Sequence, residues 1–358
     1  MPSMSELEQQ RQSGLIIDSD HPILVTGANG FIGSRVVETL LRYGFTNVRC
    51  FVRPSSDMER LNSILKAYPK ARTEVEPGNL LSHDDCAKAT RDAVVIYHLA
   101  AGIEKTFPGS FMNTVVTTRN LLDATVKFGR LRRFVNISSF AVYSNWNLNR
   151  RALLDERCEL ESHAVDRAEA YAFTKLKQDQ LVMEYAEKHG IRYVILRPGA
   201  VYGPGTRNLT ARVGIDTFGV FFHLGGSNPI PLTYVDNCAE AVVLAGIKPG
   251  VDGEVFNVVD DDLPTSRKFL KMYKKHGKQF TSIYFPYWCF YGLCWIWEKY
   301  SAWSEGQLPP TFNRRRCATY WKGNRYSNNK LKERLGWKPT VSFSDASKRY
   351  FEYVREMS

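Results

Sequence analysis

In the stretch YAFTK, Tyr171 and Lys175 stand four residues apart within a segment that reads as helix. That spacing puts both side chains on one helix face, one turn apart. An ammonium beside a phenol stabilises the phenolate, drawing a group of ordinary pKa about 10 toward a useful range. Such a pair can exchange a proton with a hydroxyl or carbonyl oxygen. The spacing alone is common by chance, so the order of other residue types matters. The apolar run RRFVNISS ends at Ser138 and Ser139, upstream of Tyr171. A serine at the C-terminal end of a central parallel strand sits where α/β proteins bind substrates, and its hydroxyl can polarise a substrate oxygen.

A third feature precedes both. ILVTGANGFIG places Gly27, Gly30 and Gly33 three residues apart, after a β-branched run and before the helix-like SRVVETLLRYG. Strand, glycine turn and helix in that order let a backbone approach a dinucleotide pyrophosphate, with the helix N-terminus supplying free N–H groups. A plain glycine-rich βα turn is the bland reading of the same residues. Glycine loop, serine and Y-x-x-x-K now form an ordered set.

The elements that must hold this set alternate. Candidate strands are 22–26, 47–52, 73–75, 94–98, 133–137 and 192–196, and candidate helices are 31–43, 57–67, 110–128 and 168–189. Strands alternating with helices imply βαβ units, an α/β class and a doubly wound parallel sheet. After residue 204, Gly and Pro become frequent (GPGTRN, GGSNPIP) and the regularity weakens. The chain therefore divides into a polar leader at 1–20, expected to be disordered, a dinucleotide-binding unit at 21–204, and a smaller substrate-binding lobe at 205–358. The last two are interleaved.

Composition narrows the classes. The 358 residues are 44% apolar and 24% charged, the balance of an ordinary soluble globular protein. No apolar run reaches the roughly 20 residues that span a bilayer, and residues 1–20 show no secretory h-region. Seven scattered cysteines fit reduced thiols in a cytoplasmic setting. The seven histidines show no ligand spacing, so no metal is expected. Residues 264–331 hold 13 Lys and Arg against two acids, Glu298 and Glu305, which accounts for the chain's net charge of +11. Such a basic region suits an anionic partner or a solvated face. Nucleic acid has only this charge behind it and is not expected. Within the basic region lies IYFPYWCFYGLCWIW, residues 283–297, either an interfacial membrane helix or the wall of a substrate pocket.

These motifs, taken together over residues 22–350, resemble the extended short-chain dehydrogenase/reductases, the superfamily of nucleotide-sugar epimerases and 3β-hydroxysteroid dehydrogenases. TGANGFIG, HLAAG at 98–102, NTVVTTRNLLDAT, ISSFAVY, YAFTK, LRPGAVYGPG, YVDNCAEA and FNVVDD match that family's landmarks in order. The resemblance implies a Rossmann-type fold with a smaller C-terminal lobe. It implies Tyr171 as acid/base, Lys175 as its electrostatic partner and ribose anchor, and Ser139 as donor to the substrate oxygen. It places the cofactor against Gly27, Asn29, Gly30, Phe31, Ile32 and Gly33, then Arg53, Asn79 and Leu80. Leu99, Ala100, Ala101, Asn113, Tyr171, Lys175, Pro198 and Val201 complete the set. It also implies a homodimer formed through the helices at 110–128 and 168–189.

Departures from the family pattern sharpen the expectation. After the second strand, where an acid binds the ribose 2′-hydroxyl of NAD, the chain has Arg53, which favours the 2′-phosphate of NADP; NAD is the alternative. Asn79 replaces the usual acid after the third strand. Phe140 and Ala141 stand where 4,6-dehydratases carry Asp-Glu, which removes water elimination. The approach NPIPLT lacks the arginine of many sugar-nucleotide epimerases, although Arg314–Arg316 remain as a diphosphate clamp. The expected function is an NADP(H)-dependent oxidoreductase acting on a secondary alcohol or ketone of a hydrophobic, sterol- or isoprenoid-like substrate. The alternatives are a nucleotide-sugar 4-epimerase and, more remotely, a non-catalytic dinucleotide sensor. The expected place is the cytoplasm, with membrane contact through 283–297 as an option.

Overall fold

The computed structural model describes residues 14–102, 104, 106–128, 130–206, 209–217, 219–305 and 307–357. In chain order, the first half runs β1 (Ile23–Thr26), α1 (Phe31–Arg42), β2 (Asn47–Val52), α2 (Glu59–Ala67), β3 (Arg72–Pro77), α3 (His83–Thr90), β4 (Val95–His98), α4 (Phe107–Phe111), a π-helical turn (Met112–Val116) and α5 (Thr117–Phe128). It continues with β5 (Arg133–Ile137), β6 (Leu153–Leu154), α6 (Ala170–His189) and β7 (Tyr193–Pro198). The rest comprises β8 (Ala200–Tyr202), β9 (Gly214–Thr217), β10 (Val220–His223), β11 (Leu232–Tyr234), α7 (Val235–Ile247), β12 (Val255–Val258), α8 (Ser266–His276), β13 (Ser282–Tyr284), α9 (Tyr287–Trp303), α10 (Arg314–Trp321), β14 (Arg325–Tyr326), α11 (Asn329–Leu335) and α12 (Phe343–Glu356).

Seven strands form one parallel sheet in the order β12-β7-β5-β4-β1-β2-β3. Strand order reverses between β1 and β4, which opens a crevice at their C-terminal ends, the place where doubly wound sheets bind ligands. β1, β4 and β5 are buried at every residue, as strands covered on both faces must be, and this is why they read as β-branched runs. β3 is the edge, and its RTEVEP sequence keeps that edge charged and exposed. β12 comes from the second half of the chain yet completes the first half's sheet beside β7.

Differences from the expected elements have local causes. α3 went unread, since only Cys86, Ala89 and Thr90 of its eight residues are buried and its start is fixed by Ser82 accepting from Asp85 N–H. The helix expected from 168 begins at Ala170, because Ala168 takes φ +50° and Glu169 is extended. The helix expected at 110–128 is interrupted by the π turn. Residues 14–20, expected within a disordered leader, instead join the body. Ile17 is buried, Ile16 N–H donates to the Ile247 carbonyl at 2.9 Å, and Thr46 N–H donates to Ser19 at 2.7 Å. The expectation for 1–13 falls outside the described residues.

A buried carboxyl ties the segment after β12 to β11 and the start of α7. Asp260 accepts from Tyr234 N–H at 2.8 Å and from Asn237 Nδ2 at 3.1 Å. Burial pushes the Asp260 carboxyl up to about 7, against those two hydrogen bonds. A carboxyl raised in the folded state contributes stability while protonated, and that contribution is lost as pH rises through about 7. The melting temperature of wild type should therefore fall relative to that of Asp260→Asn between about pH 5 and pH 8. Parallel melting curves for the two would remove Asp260 as the source.

Candidate active site

The glycine turn is built by close backbone approaches. Gly27 takes φ +69°, and a Cβ there would lie 3.0 Å from Ala100 N in the turn after β4. Gly33 sits in the first turn of α1, where a Cβ would come within 2.0 Å of the Gly27 carbonyl oxygen. Gly33 is thus required by the packing of helix on loop rather than by room for a phosphate. The turn leaves α1 opening at Gly30 with no side-chain cap on its first N–H groups.

Above this turn lies a cleft of about 430 Å³ at the strand-order reversal. Thirteen of the expected cofactor residues line it: Gly27, Asn29, Gly30, Phe31, Ile32, Gly33, Arg53, Asn79, Leu80, Leu99, Ala100, Ala101 and Asn113. Phe51, Val52, Ser56, Gly78, Thr117 and Ile137 also line it and were not foreseen. They stand at or just past strand ends, in the β2–α2 connection and at the start of α5, and the sheet order brings them together. Pro198 and Val201, Tyr171 and Lys175 are not in this lining. Among the described residues Arg53 is the single charged side chain in that lining, and no acid faces the cleft. The nearest acid beyond β2, Asp57, is spent on the Glu59 N–H at the start of α2. Asn79 turns its Oδ1 to the Leu81 N–H, and Asn113 donates to Glu104 Oε1 at 2.6 Å. A glycine cradle, free helix N–H groups and an acid-free wall with one guanidinium fit a nicotinamide dinucleotide.

The two serines ending β5 have different roles. Ser138 donates to Asp179 Oδ2 at 2.8 Å. Ser139 Oγ accepts from Ala141 N–H at 3.1 Å, capping the short 3₁₀ turn Phe140–Val142 and keeping its own proton to give. Tyr171, in the first turn of α6, lies near enough to Ser139 for that hydroxyl to act on its phenol. Burial pushes the Tyr171 phenol above its usual range, the Ser139 hydroxyl pulls it back, and Glu169 and Asp179 push it up again.

Lys175, one turn further along α6, donates from its Nζ to the Ile137 carbonyl at 2.6 Å and to Gln178 Oε1 at 2.9 Å. The carbonyl at the end of β5 and the next turn of its own helix hold the ammonium. Burial lowers Lys175 to about 8, against the pull of Asp179. From Lys175 a buried polar run continues. Gln178 Nε2 donates to Thr118 Oγ1, and His98 bridges Thr118 and Thr26, each contact 2.8 Å long. Burial, together with the Lys175 charge, lowers His98 to about 3, so its ring is neutral.

A wider shell fixes these residues. Asp179 is buried with Arg197, whose Nη2 lies 3.2 Å away, and also accepts from Asn136. Arg167 pairs with Glu169 at 2.6 Å, and Glu169 accepts from Tyr320 of α10, tying the C-terminal lobe to the start of α6. Of the arginines kept in view as a diphosphate clamp, Arg314 is held by Glu298 at 2.7 Å and Arg315 by Glu161 at 3.2 Å. Only Arg316 reaches a cavity, one of about 210 Å³ shared with Phe290, Cys294, Phe312, Tyr320 and Trp321. Among the described residues no group of His, Cys, Asp and Glu could hold a metal ion.

Comparison with known proteins agrees with this architecture. The model of the NAD dependent epimerase/dehydratase family matches residues 23–258. The chain is similar to isoform 2 of the 3beta-hydroxysteroid-dehydrogenase/decarboxylase of Arabidopsis thaliana, 24% identical over 91% of this chain; it spans 60% of that relative's length. It is 28% identical to an uncharacterised UDP-glucose epimerase of Bacillus subtilis, over 66% of this chain and 76% of the other. Among solved structures, the UDP-glucuronic acid 4-epimerase of Bacillus cereus in complex with NAD is 25% identical with a TM-score of 0.69, covering 94% of this chain and 97% of that one. With its glycine cradle at the sheet's reversal point and its matched span, the chain belongs to the NAD-dependent epimerase/dehydratase family, of the extended short-chain dehydrogenase/reductase type.

Proposed function

We propose that this enzyme is an NADP(H)-dependent oxidoreductase that interconverts a secondary alcohol and a ketone on a mainly hydrophobic, sterol- or isoprenoid-like substrate. The observation that carries the reading is the placing of Tyr171 in the first turn of α6 near Ser139, just past the end of β5, whose hydroxyl acts on the phenol. When bound, the nicotinamide supplies or accepts a hydride at the carbinol carbon. Tyr171 gives its proton to the ketone oxygen, or takes it from the alcohol. Ser139, with its own acceptor already used by Ala141, donates to the same oxygen. Lys175 carries its charge below about pH 8 and holds the end of β5 against α6 through the Ile137 carbonyl.

Two observations support a greasy substrate. Arg314 and Arg315 are occupied by carboxylates, and the cavity beneath α9 has four aromatic rings in its lining, Phe290, Phe312, Tyr320 and Trp321. The likeness to the steroid dehydrogenase covers 91% of this chain. Arg316 in that cavity, together with the UDP-sugar epimerase likenesses, supports a second reading as a nucleotide-sugar 4-epimerase.

Nicotinamide absorbance separates them. Purified protein is incubated with NADP⁺ or NAD⁺ and either hydroxysterols and isoprenoid alcohols or UDP- and GDP-sugars. Net reduction with the first set is expected. Interconversion of a sugar nucleotide without net reduction would replace the dehydrogenase with an epimerase. Arg53→Ala should raise KM for NADP⁺ about 10- to 100-fold, the worth of a charge-assisted hydrogen bond, with little change for NAD⁺. An equal effect on both cofactors would assign Arg53 to the adenine instead.

A further inference from the structure

A surface helix of a globular protein normally hides its apolar residues; α9 shows them. It buries only the narrow stripe Tyr287, Cys294 and Ser301, at seven-residue spacing. Its outward face presents Trp288 (62% exposed), Leu293, Trp295, Ile296 (56%) and Trp303 (76%). Lys299 is the single charge among the exposed residues of this helix, while Glu298 turns inward to Arg314. Monomers expose apolar residues singly; a contiguous face of this kind marks an interaction site.

The surroundings say with what. The chain enters α9 from β13, where Ile283 and Tyr284 are half exposed. Beside β13 lies a hollow of about 490 Å³ whose charged lining is Arg267, Lys271, Lys274 and Lys275, with no acid. The hollow joins the aromatic surface directly. Arg267 sits 5.4 Å from the Tyr284 ring, and Lys274 donates to Ser282 at 3.1 Å.

The geometry points to a peripheral docking surface for an anionic lipid membrane, with α9 lying in the plane of the interface and the basic hollow over the headgroups. Indoles run along the exposed face at Trp288, Trp295 and Trp303, with Leu293 and Ile296 among them, a mix of rings and aliphatic side chains suited to an interfacial helix. Arg267, Lys271, Lys274 and Lys275 of the hollow, with no acid in its lining, supply the attraction to anionic headgroups. The helix does not cross: no helix of the described residues is long and apolar enough to do so. The pocket-wall reading holds for the opposite side alone, where Phe290 and Cys294 line the smaller cavity. Trp297 belongs to that inner side, with its Nε1 donating to the Pro309 carbonyl at 3.2 Å, so it is not part of the docking face.

The test is sedimentation of the full chain with sucrose-loaded vesicles at physiological salt. Vesicles of phosphatidylcholine alone are compared with vesicles containing phosphatidylserine. Wild type should partition onto the serine-containing vesicles about tenfold more strongly. The triple substitution Trp288→Ser, Trp295→Ser, Trp303→Ser should lose binding to both kinds by about tenfold or more. Lys271→Glu with Lys275→Glu should lose only the preference for phosphatidylserine. Matched melting temperatures establish that the variants are folded, and the lysine variant answers alone if the triple variant is not. Failure of wild type to sediment with either vesicle would overturn the proposal, as would unchanged binding by both variants. Self-association of wild type through this face, abolished by the tryptophan substitutions and without vesicle binding, would assign it to a second copy of the chain.

Discussion

Tyr171→Phe is expected to lower turnover about 10²- to 10⁴-fold, the usual worth of a positioned general acid or base. Phenylalanine keeps the ring in the first turn of α6 and removes only the hydroxyl on which Ser139 acts. Cofactor affinity, read by titration of reduced-nicotinamide fluorescence, should stay near wild type, because Tyr171 does not line the dinucleotide cleft. The direction of the Tyr171 shift adds a signature. Burial holds the phenol above its usual range, so at neutral pH it carries its proton and is ready to give it to a ketone. Alcohol oxidation needs the phenolate and should climb with pH through the alkaline range, while ketone reduction should not. A variant that keeps most of its activity, or a flat oxidation profile, would move the proton to another group.

Asp179→Ala should cost about 3–5 kcal/mol of folding stability, measured by chemical denaturation, because it strands the Arg197 guanidinium without its counter-charge. Arg197 and Asp179 are 3% and 1% exposed, so water cannot take over. Burial raises the Asp179 carboxyl, while the Arg197 charge and the Ser138 hydrogen bond oppose that. The loss is a large part of a typical stability of about 5–15 kcal/mol. Asp179→Ala with Arg197→Met should recover part of it, since removing both charges leaves none uncompensated. Ser138 and Asn136 also lose their acceptor, so the end of β5 should loosen and activity should fall with stability. A single variant within about 1 kcal/mol of wild type would mean that the pair contributes little.

The frame of the sheet was legible because fully buried parallel strands require β-branched runs, as in ILVT and RFVNI. The cleft was legible because its walls are short local motifs, and thirteen expected positions do line it. What escaped depends on residues distant in the chain. The spacing of Tyr171 and Lys175 is a local fact, but the acceptor that claims the ammonium, the Ile137 carbonyl, lies on another element. Arg314–Arg316 look like a free basic run until Glu298 and Glu161 arrive from elsewhere. The stretch 283–297 read as greasy within a basic region, but periodicity alone could not show that its apolar residues cover both faces, one packed and one bare.

The π turn at Met112–Val116 carries one more consequence. It holds one residue more than an α-helical turn would, and Asn113, which lines the cleft, lies within it. Deleting any single residue there would let the segment rewind as continuous α-helix. The flanking helices would keep their phase, since the π turn absorbs the residue removed. The change would fall on the turn itself, where Asn113 lines the cleft and donates to Glu104, while α5 stayed anchored by its buried leucines. The site thus depends on a count: one surplus residue shapes the wall locally and leaves the core where it is.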